Sequence, residues 1–453
     1  MNMRFAAACC AGFFSFAAAA AAAEPGLLFY ASFDNRTDAD YAAGEASGKI
    51  MGSAKDRFAS GVKNQALRVG KTGKDLRSVT FAGAGNINPK RGTLSFYFKP
   101  ENWNRNVKAF QHLFYAFGTD DGKRSFLLID RYMGKDELVV EDRCGEAGNS
   151  FRQKTGHWRD GLWHHLGVVW GGDSLCVYVD GEPRYKKTGF NRLSGAWKTM
   201  IIGAMNWNVT QGTALIDEVK IYDRQLSAED MEKAAAAIPS SAGKDGLLFA
   251  HSFDKGANAD FAAGNPAAVP LTPSGPLFVP GVKGNGLRLG WGEHGERMGL
   301  NFYAGRNFRP SAGTVAFWFK PENWRQNKGK HKHLVSFHGG SGLFTIYQEL
   351  GDRFGITFGK DRIFVSGNSL KDGEWHHCAV TWDAANIRLY RDGLLLGECV
   401  RKDFSPHGWD RMTVGAMNWS KSHRAGTAVI DELRIYNRAL PQTEIESLAR
   451  PVK

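Results

Sequence analysis

Gly212-Thr213-Ala214-Leu215-Ile216-Asp217-Glu218-Val219 and Gly426-Thr427-Ala428-Val429-Ile430-Asp431-Glu432-Leu433 are one phrase written twice, 214 residues apart. Other phrases return in the same order. Ser32-Phe33-Asp34 recurs as Ser252-Phe253-Asp254, Lys99-Pro100-Glu101-Asn102-Trp103 as Lys320-Pro321-Glu322-Asn323-Trp324, and Trp163-His164-His165 as Trp375-His376-His377. Gly203-Ala204-Met205-Asn206-Trp207 recurs as Gly415-Ala416-Met417-Asn418-Trp419. A period this long is far outside the 20–50 residues of a solenoid; it marks duplication of a whole domain with loops trimmed afterwards. Within each copy the hydrophobic period is two, as in Thr93-Leu94-Ser95-Phe96-Tyr97-Phe98 and Thr314-Val315-Ala316-Phe317-Trp318-Phe319, so these runs predict strands. Asp180-Gly181 and Asp392-Gly393 predict tight hairpin turns. Only Ser227 to Ala237 and Gln442 to Ala449 read as helical, the first with Ser227 as cap and Asp230 three residues on. The pattern predicts an all-β chain of two β-sandwiches, of a size that suits the jelly roll better than the roughly 100-residue immunoglobulin domain.

Composition agrees with that class. Hydrophobic residues make up 43% and charged residues 23% of 453, the balance of a globular protein with its own core. Glycine stands at 54 against the roughly 32 that an average share of about 7% gives, so turns are many. Residues 1–23 read as a signal peptide: Arg4, an apolar run from Phe5, and small residues before Glu24. The 19 residues Phe5 to Ala23 could barely span a membrane as a helix, and no basic flank follows. Cleavage leaves a first sandwich over 24–233, a linker over 234–244 and a second sandwich over 245–453. The mature chain is expected to be secreted, periplasmic or attached to the cell surface, without a transmembrane span. Four cysteines remain (Cys144, Cys176, Cys378 and Cys399), and their positions do not match between copies, so bridges and free thiols are equally open. The net charge of +12 favours acidic partners. Its cations are dispersed, and no nucleic-acid motif is present.

Each copy resembles the laminin-G-like jelly roll of the concanavalin A-like lectin and glucanase superfamily. The resemblance rests on the opening Leu-x-x-x-x-Phe-Asp, the segments Gly61 to Arg68 and Gly281 to Arg288, Trp-His-His before the long hairpin, and Tyr178-Val179-Asp180-Gly181 and Tyr390-Arg391-Asp392-Gly393 at its turn. It closes on Ile-Asp-Glu-x-x-Ile-Tyr-x-Arg-x-Leu. What it implies is a binding or adhesion module, of the kind often appended to enzymes that act on polysaccharides, with calcium sites in some branches.

Catalysis finds no motif. Glycan hydrolysis needs two carboxylates across the scissile bond, which glucanases of this superfamily carry as Glu-x-Asp-x-Glu on one strand. The nearest acidic run, Asp136 to Asp142, places Glu137 and Glu141 on one strand face, and the second copy keeps no such pair. The paired histidines point to opposite faces, and His331, His333 and His338 cluster in the second copy alone. Calcium suits the oxygen-rich ends of terminal strands: if those strands lie side by side, Asp34 comes near Asp217 and Asp254 near Asp431. For sugars, Asn102-Trp103, Asn206-Trp207, Asn323-Trp324 and Asn418-Trp419 offer aromatic faces beside polar groups; the competing reading is that these tryptophans plug the core. Two functions follow: a non-catalytic module that recognises a polysaccharide, glycoconjugate or extracellular matrix, and an adhesive surface component that binds other proteins.

Overall fold

The computed structural model describes residues 24–103, 109–120, 122–132, 137–145, 147–154, 161–188, 196–205, 212–238, 242–292, 294–327, 330–339, 342–350, 353–366, 370–402, 409–417 and 426–450. The expected signal peptide lies outside them. The chain divides into two compact units, with the boundary along the sequence between Ile238 and Pro239. The start of the expected linker belongs to a helix, Ala228–Ala236. Among the described residues, no helix is long and apolar enough to cross a membrane.

In the first unit twelve antiparallel strands form one path. It runs from Ala147–Lys154 through Glu137–Cys144, Lys123–Tyr132, Phe110–Asp120, Ala196–Gly203 and Asp75–Ala82. The chain then folds over to Gln65–Thr72, Gly212–Tyr222, Gly92–Glu101, His164–Gly171, Ser174–Val179 and Glu182–Thr188. The second unit repeats this order strand for strand, from Asp361–Val365 to Leu394–Val400. Period two does the sorting. In Gly92–Glu101 the side chains of Leu94, Phe96 and Phe98 enter the core, while Tyr97 on the other face donates its hydroxyl to Ala234 O at 2.7 Å. That contact seats the helix Ala228–Ala236 on the sheet, with Met231 packed on Val169 and Tyr178. The helix starts as its sequence predicts: Asp230 N donates to Ser227 Oγ at 3.1 Å and Ser227 N to Asp230 Oδ2 at 2.9 Å.

Tryptophans fill the space between the sheets. Trp170 and Trp197 meet with ring centres 6.1 Å apart, and Trp382 and Trp409 occupy the second core with Phe308 and Phe344. A strand must begin with glycine beside each: a Cβ on Gly92 would lie 2.6 Å from Trp170, and one on Gly313 2.3 Å from Trp382. Both Asp-Gly hairpins have positive φ at each residue, 54° and 81° at Asp180-Gly181 and 53° and 83° at Asp392-Gly393, as a type I′ turn requires. Asp180 also locks the neighbouring strand. Its Oδ1 accepts from His165 N at 3.0 Å and its Oδ2 lies 2.9 Å from His164 Nδ1; Asp392 repeats both contacts with His377 and His376. The histidines thus hold hairpins. All four mature cysteines are free thiols.

His165 is fully enclosed, with Nε2 2.8 Å from Ser95 Oγ. Burial strips water from its imidazolium and pushes the group down to about 4. The unfolded chain, with an ordinary histidine near 6.5, binds the extra proton first as pH falls. Stability from this ring is therefore complete above pH 6.5 and is lost as pH falls through about 4. The His165→Gln variant is expected to lose less stability than the parent between pH 7 and 4, by about 3 kcal/mol. Urea unfolding at several pH values checks this, and identical pH slopes for the two proteins would count against it.

Candidate functional site

In the two described Asn-Trp pairs, 102–103 and 323–324, the tryptophans are buried. Asn102 sits at the left-handed φ of 42°, and its Oδ1 accepts from Thr213 N at 3.0 Å. Trp103 donates Nε1 to Thr213 O at 2.8 Å, stacks on Phe98 and is 6% exposed. In the second unit Asn323 Oδ1 accepts from Thr427 N at 2.7 Å, and Trp324, 3% exposed, stacks on Phe319. Rings so enclosed offer no face to a sugar; they plug the sandwich and tie the strand end Pro-Glu-Asn-Trp to the last long strand. The sugar-binding expectation for Asn102, Trp103, Asn323 and Trp324 is corrected accordingly. Asn206, Trp207, Asn418 and Trp419 lie outside the described residues.

In each unit the two aspartates expected to hold calcium bond to one and the same loop. Strand Leu27–Ala31 pairs with Gly212–Tyr222, placing Ala31 opposite Val219. Asp34 Oδ1 accepts from Gln65 N and its Oδ2 from Asn64 Nδ2, both at 2.9 Å. Asp217 Oδ2 accepts from Val62 N at 2.7 Å and Lys63 N at 3.1 Å. The second unit repeats the clasp: Asn285 N donates to Asp254 Oδ1 at 2.7 Å and Lys283 N to Asp431 Oδ2 at 3.0 Å. Burial pushes Asp217 and Asp431 up to about 7. Calcium wants six to eight oxygens with their lone pairs directed at the ion. Most of these oxygens are turned onto N–H donors, although among the described residues Asp217 Oδ1 has no hydrogen-bond partner, and no three metal-ligating side chains gather. The donor set fits a loop clasp better than a cation cage.

A groove of about 430 Å³ lies elsewhere, on the outer face of the sheet that carries Phe110–Asp120, Lys123–Tyr132 and Glu137–Cys144. Register explains its lining. Tyr115 lies opposite Leu128 and Leu128 opposite Glu141; Phe117 lies opposite Phe126, and Asp130 opposite Val139. Alternation puts all of these on one face. Leu127 and Ile129 point the other way into the core, while Tyr115, Phe126, Leu128 and Met205 form a separate apolar cluster.

Asp130 lines this groove at 3% exposure. No hydrogen-bond donor reaches its Oδ1 among the described residues, and the nearest basic group is His112 Nδ1, 3.7 Å from Oδ2. Burial, reinforced by the charge of Glu141 and opposed by Arg152, pushes Asp130 up to about 7. Arginines flank it. Arg124 donates to Tyr115 Oη and its guanidinium lies 5.2 Å from the centre of the Phe126 ring. Arg143 lies 5.9 Å from the same ring and donates to Glu141 Oε1 at 2.8 Å. Arg152 approaches Glu137 at 3.6 Å.

The acidic run singled out from sequence therefore does reach a site, through Glu141, but its partner on the face is Asp130 from the next strand. The strand gives no clear signal of it: Arg124-x-Phe126-x-Leu128-x-Asp130 is interleaved with Ser125, Leu127 and Ile129, two of which are apolar as well. The second unit keeps the frame and changes the chemistry. By register, Tyr347 stands where Asp130 does, Thr345 replaces Leu128, Thr357 replaces Glu141 and Ser336 replaces Tyr115. Its hydroxyls bond one another: Ser336 Oγ lies 2.7 Å from Thr345 Oγ1, and Tyr347 Oη 3.3 Å from Thr357 Oγ1.

A family model described as the concanavalin A-like lectin/glucanases superfamily matches residues 74–232 and 295–446. No curated protein matches the chain. Among solved structures it is similar to domain 4 of AbnA, a GH43 extracellular arabinanase from Geobacillus stearothermophilus, in complex with arabinotriose. That likeness has 21% identity and a TM-score of 0.36, covering 46% of this chain and 98% of that one. It is also similar to the binding domain of botulinum neurotoxin serotype D/C, with 9% identity, a TM-score of 0.41, and 94% and 97% covered. The binding domain of paraclostridial mosquitocidal protein 1 follows, with 9% identity, a TM-score of 0.39 and 91% of each chain covered. The two family matches span more than half of the sequence, one in each strand-for-strand repeated sandwich: the chain belongs to the concanavalin A-like lectin/glucanases superfamily, as two tandem laminin-G-like jelly rolls.

Proposed function

We propose that this chain is an exported, non-catalytic binding module, and that the groove of the first unit holds a carbohydrate. The observation that carries the reading is Asp130. A buried carboxylate oxygen without a donor weakens the fold, so Asp130 is an expensive group to keep in this groove, where rings and aliphatic side chains alternate with Glu141 and three arginines. A short sugar chain supplies what is missing: once a small turn of Asp130 opens Oδ1 to the groove, a hydroxyl of one residue donates to it, and the apolar ring face of a neighbouring residue lies on Phe126 and Tyr115. Glu141 is already engaged by Arg143, which favours binding over a two-carboxylate hydrolysis. A second reading, adhesion to a surface protein, draws on the edge strand Leu394–Val400 of the second unit, where Leu394 is 66% exposed and Leu395 and Val400 are also exposed.

The test separates a ligand group from a structural one. Replacing Asp130 with the near-isosteric leucine removes a buried polar group, so Asp130→Leu is expected to raise stability at pH 8 by about 1–3 kcal/mol. Retention of the mature protein on its best array glycan should fall at least tenfold. Lower stability with unchanged retention would overturn the reading. A glycan array that stays silent with folded protein would favour surface-protein adhesion.

The aspartate clasp generates a calcium prediction. Loops already held by N–H donation should gain little, so millimolar calcium chloride is expected to move the thermal midpoint by no more than about 1 °C. Glycan retention should survive a chelator. A rise of several degrees, abolished by Asp34→Asn, would instead make calcium a resident of the clasp.

A further inference from the structure

The proposed carbohydrate groove also carries a pair of guanidiniums that neutral-sugar binding does not use. Register places Arg143 directly opposite Phe126, and Arg124 lies two residues before Phe126 on the same strand face. Both guanidiniums lie within 6 Å of that one ring. Arg124 spends its hydrogen bond on a phenol, Tyr115 Oη, leaving most of its five-donor fork uncommitted to that bond. Arg143 holds Glu141 through one nitrogen, with about half of its side chain exposed. Both guanidiniums lie over the Phe126 ring, which helps to hold them in place and lowers the ordering cost of taking a planar or tetrahedral anion in two-pronged fashion. Three arginines, Arg124, Arg143 and Arg152, face two acids in the groove, and one of those, Asp130, is held back from ionising by burial. The local balance is cationic, in a chain whose net charge is +12.

We infer that the groove of the first unit selects an anionic sugar chain, the acid group of one residue gripped by Arg124 and Arg143 beside the Phe126 ring while a hydroxyl of a neighbouring residue donates to Asp130. The inference rests on the carbohydrate reading above and adds the ligand class. A bare anion would leave Asp130 unserved, and a neutral sugar would leave the arginine forks unserved; a chain that carries uronate or sulfated residues serves both. The second unit has no such arrangement at the corresponding places: Thr357 stands for Glu141 and Gly359 for Arg143. Charge selection therefore belongs to the first unit.

The mature two-unit protein would be applied to an array carrying oligogalacturonate, its methyl ester, chondroitin sulfate and desulfated, methyl-esterified chondroitin, at 50 and 300 mM sodium chloride. The expected result is retention on at least one acidic chain, tenfold or more above its neutral counterpart and weakened by salt. Oligogalacturonate retention identifies the anion as a carboxylate; retention that requires the sulfate identifies a sulfate ester. Arg124→Gln and Arg143→Gln should each lower acidic binding about tenfold more than neutral binding, with Arg124→Lys restoring part of the acidic binding. Thermal midpoints confirm that the variants are folded. Equal binding to acidic and neutral chains, or arginine variants that lose both alike, would overturn the anionic selection and leave the carbohydrate reading standing. Retention on no chain by folded protein would remove both.

Discussion

The last long strand of each unit holds three others at once, and the sandwich depends on it. Gly212–Tyr222 pairs along one edge with Gly92–Glu101, and along the other with Gln65–Thr72 over its first half and Leu27–Ala31 over its second. The chain cannot slide between those partners without a break in the ladder, and the break is built in: register shifts between Asp217 and Lys220, with Glu218 at φ 51°. An extra residue in a strand turns its neighbours and sharpens the twist. Here it aims Asp217 at the 61–65 loop and brings Glu218 to Tyr30 Oη and Lys63 Nζ. In the second unit Asp431 takes the loop amide of Lys283 in the same way, while Glu432, at φ 47°, accepts from Arg434 instead. The same constraint accounts for the recurrence of Ile-Asp-Glu in both copies.

Most of the frame was legible because it is written in residues with one physical meaning. Asp-Gly meant a type I′ turn, Ser227 and Asp230 meant a helix start, and Phe-x-Phe meant one buried face. Tryptophan and aspartate have several meanings. Trp103 follows a strand and precedes a loop, which suits a ligand platform and a core plug equally. Its fate turned on whether Thr213 would offer a carbonyl to Nε1, and sequence does not place a strand 110 residues away. Reasoning on terminal strands set Asp34 beside Asp217. What that reasoning could not see was the loop between them, whose N–H groups take up the carboxylate oxygens.

The groove was illegible for a different reason. Lys123–Tyr132 is apolar on both faces, since Leu127 and Ile129 enter the core while Phe126 and Leu128 line the outer cluster. A strand with that pattern reads as doubly buried, and nothing in it marks which face is open. Asp130 looked like the polar end of a strand. Its meaning came only from register, which sets it beside Val139 and diagonal to Glu141 across the sheet.

The two units divide their freedom along the same line. A core-facing change in a filled sandwich leaves a cavity or a clash, so Trp170 and Trp382, Phe96 and Phe317, and Gly92 and Gly313 keep their kinds. The copies part elsewhere, on the outer face of Phe110–Asp120, Lys123–Tyr132 and Glu137–Cys144 and of their counterparts in the second unit: aromatic rings, arginines and a buried acid in one, hydroxyls and histidines in the other. The second face satisfies itself, through Ser336 with Thr345 and His338 with Thr413. In the first, Asp130 is left without a donor at Oδ1. A polar group that completes its hydrogen bonds internally gains little from a ligand, whereas one that does not gains the whole bond. The asymmetry therefore argues that duplication kept a frame and left recognition to one face of one copy.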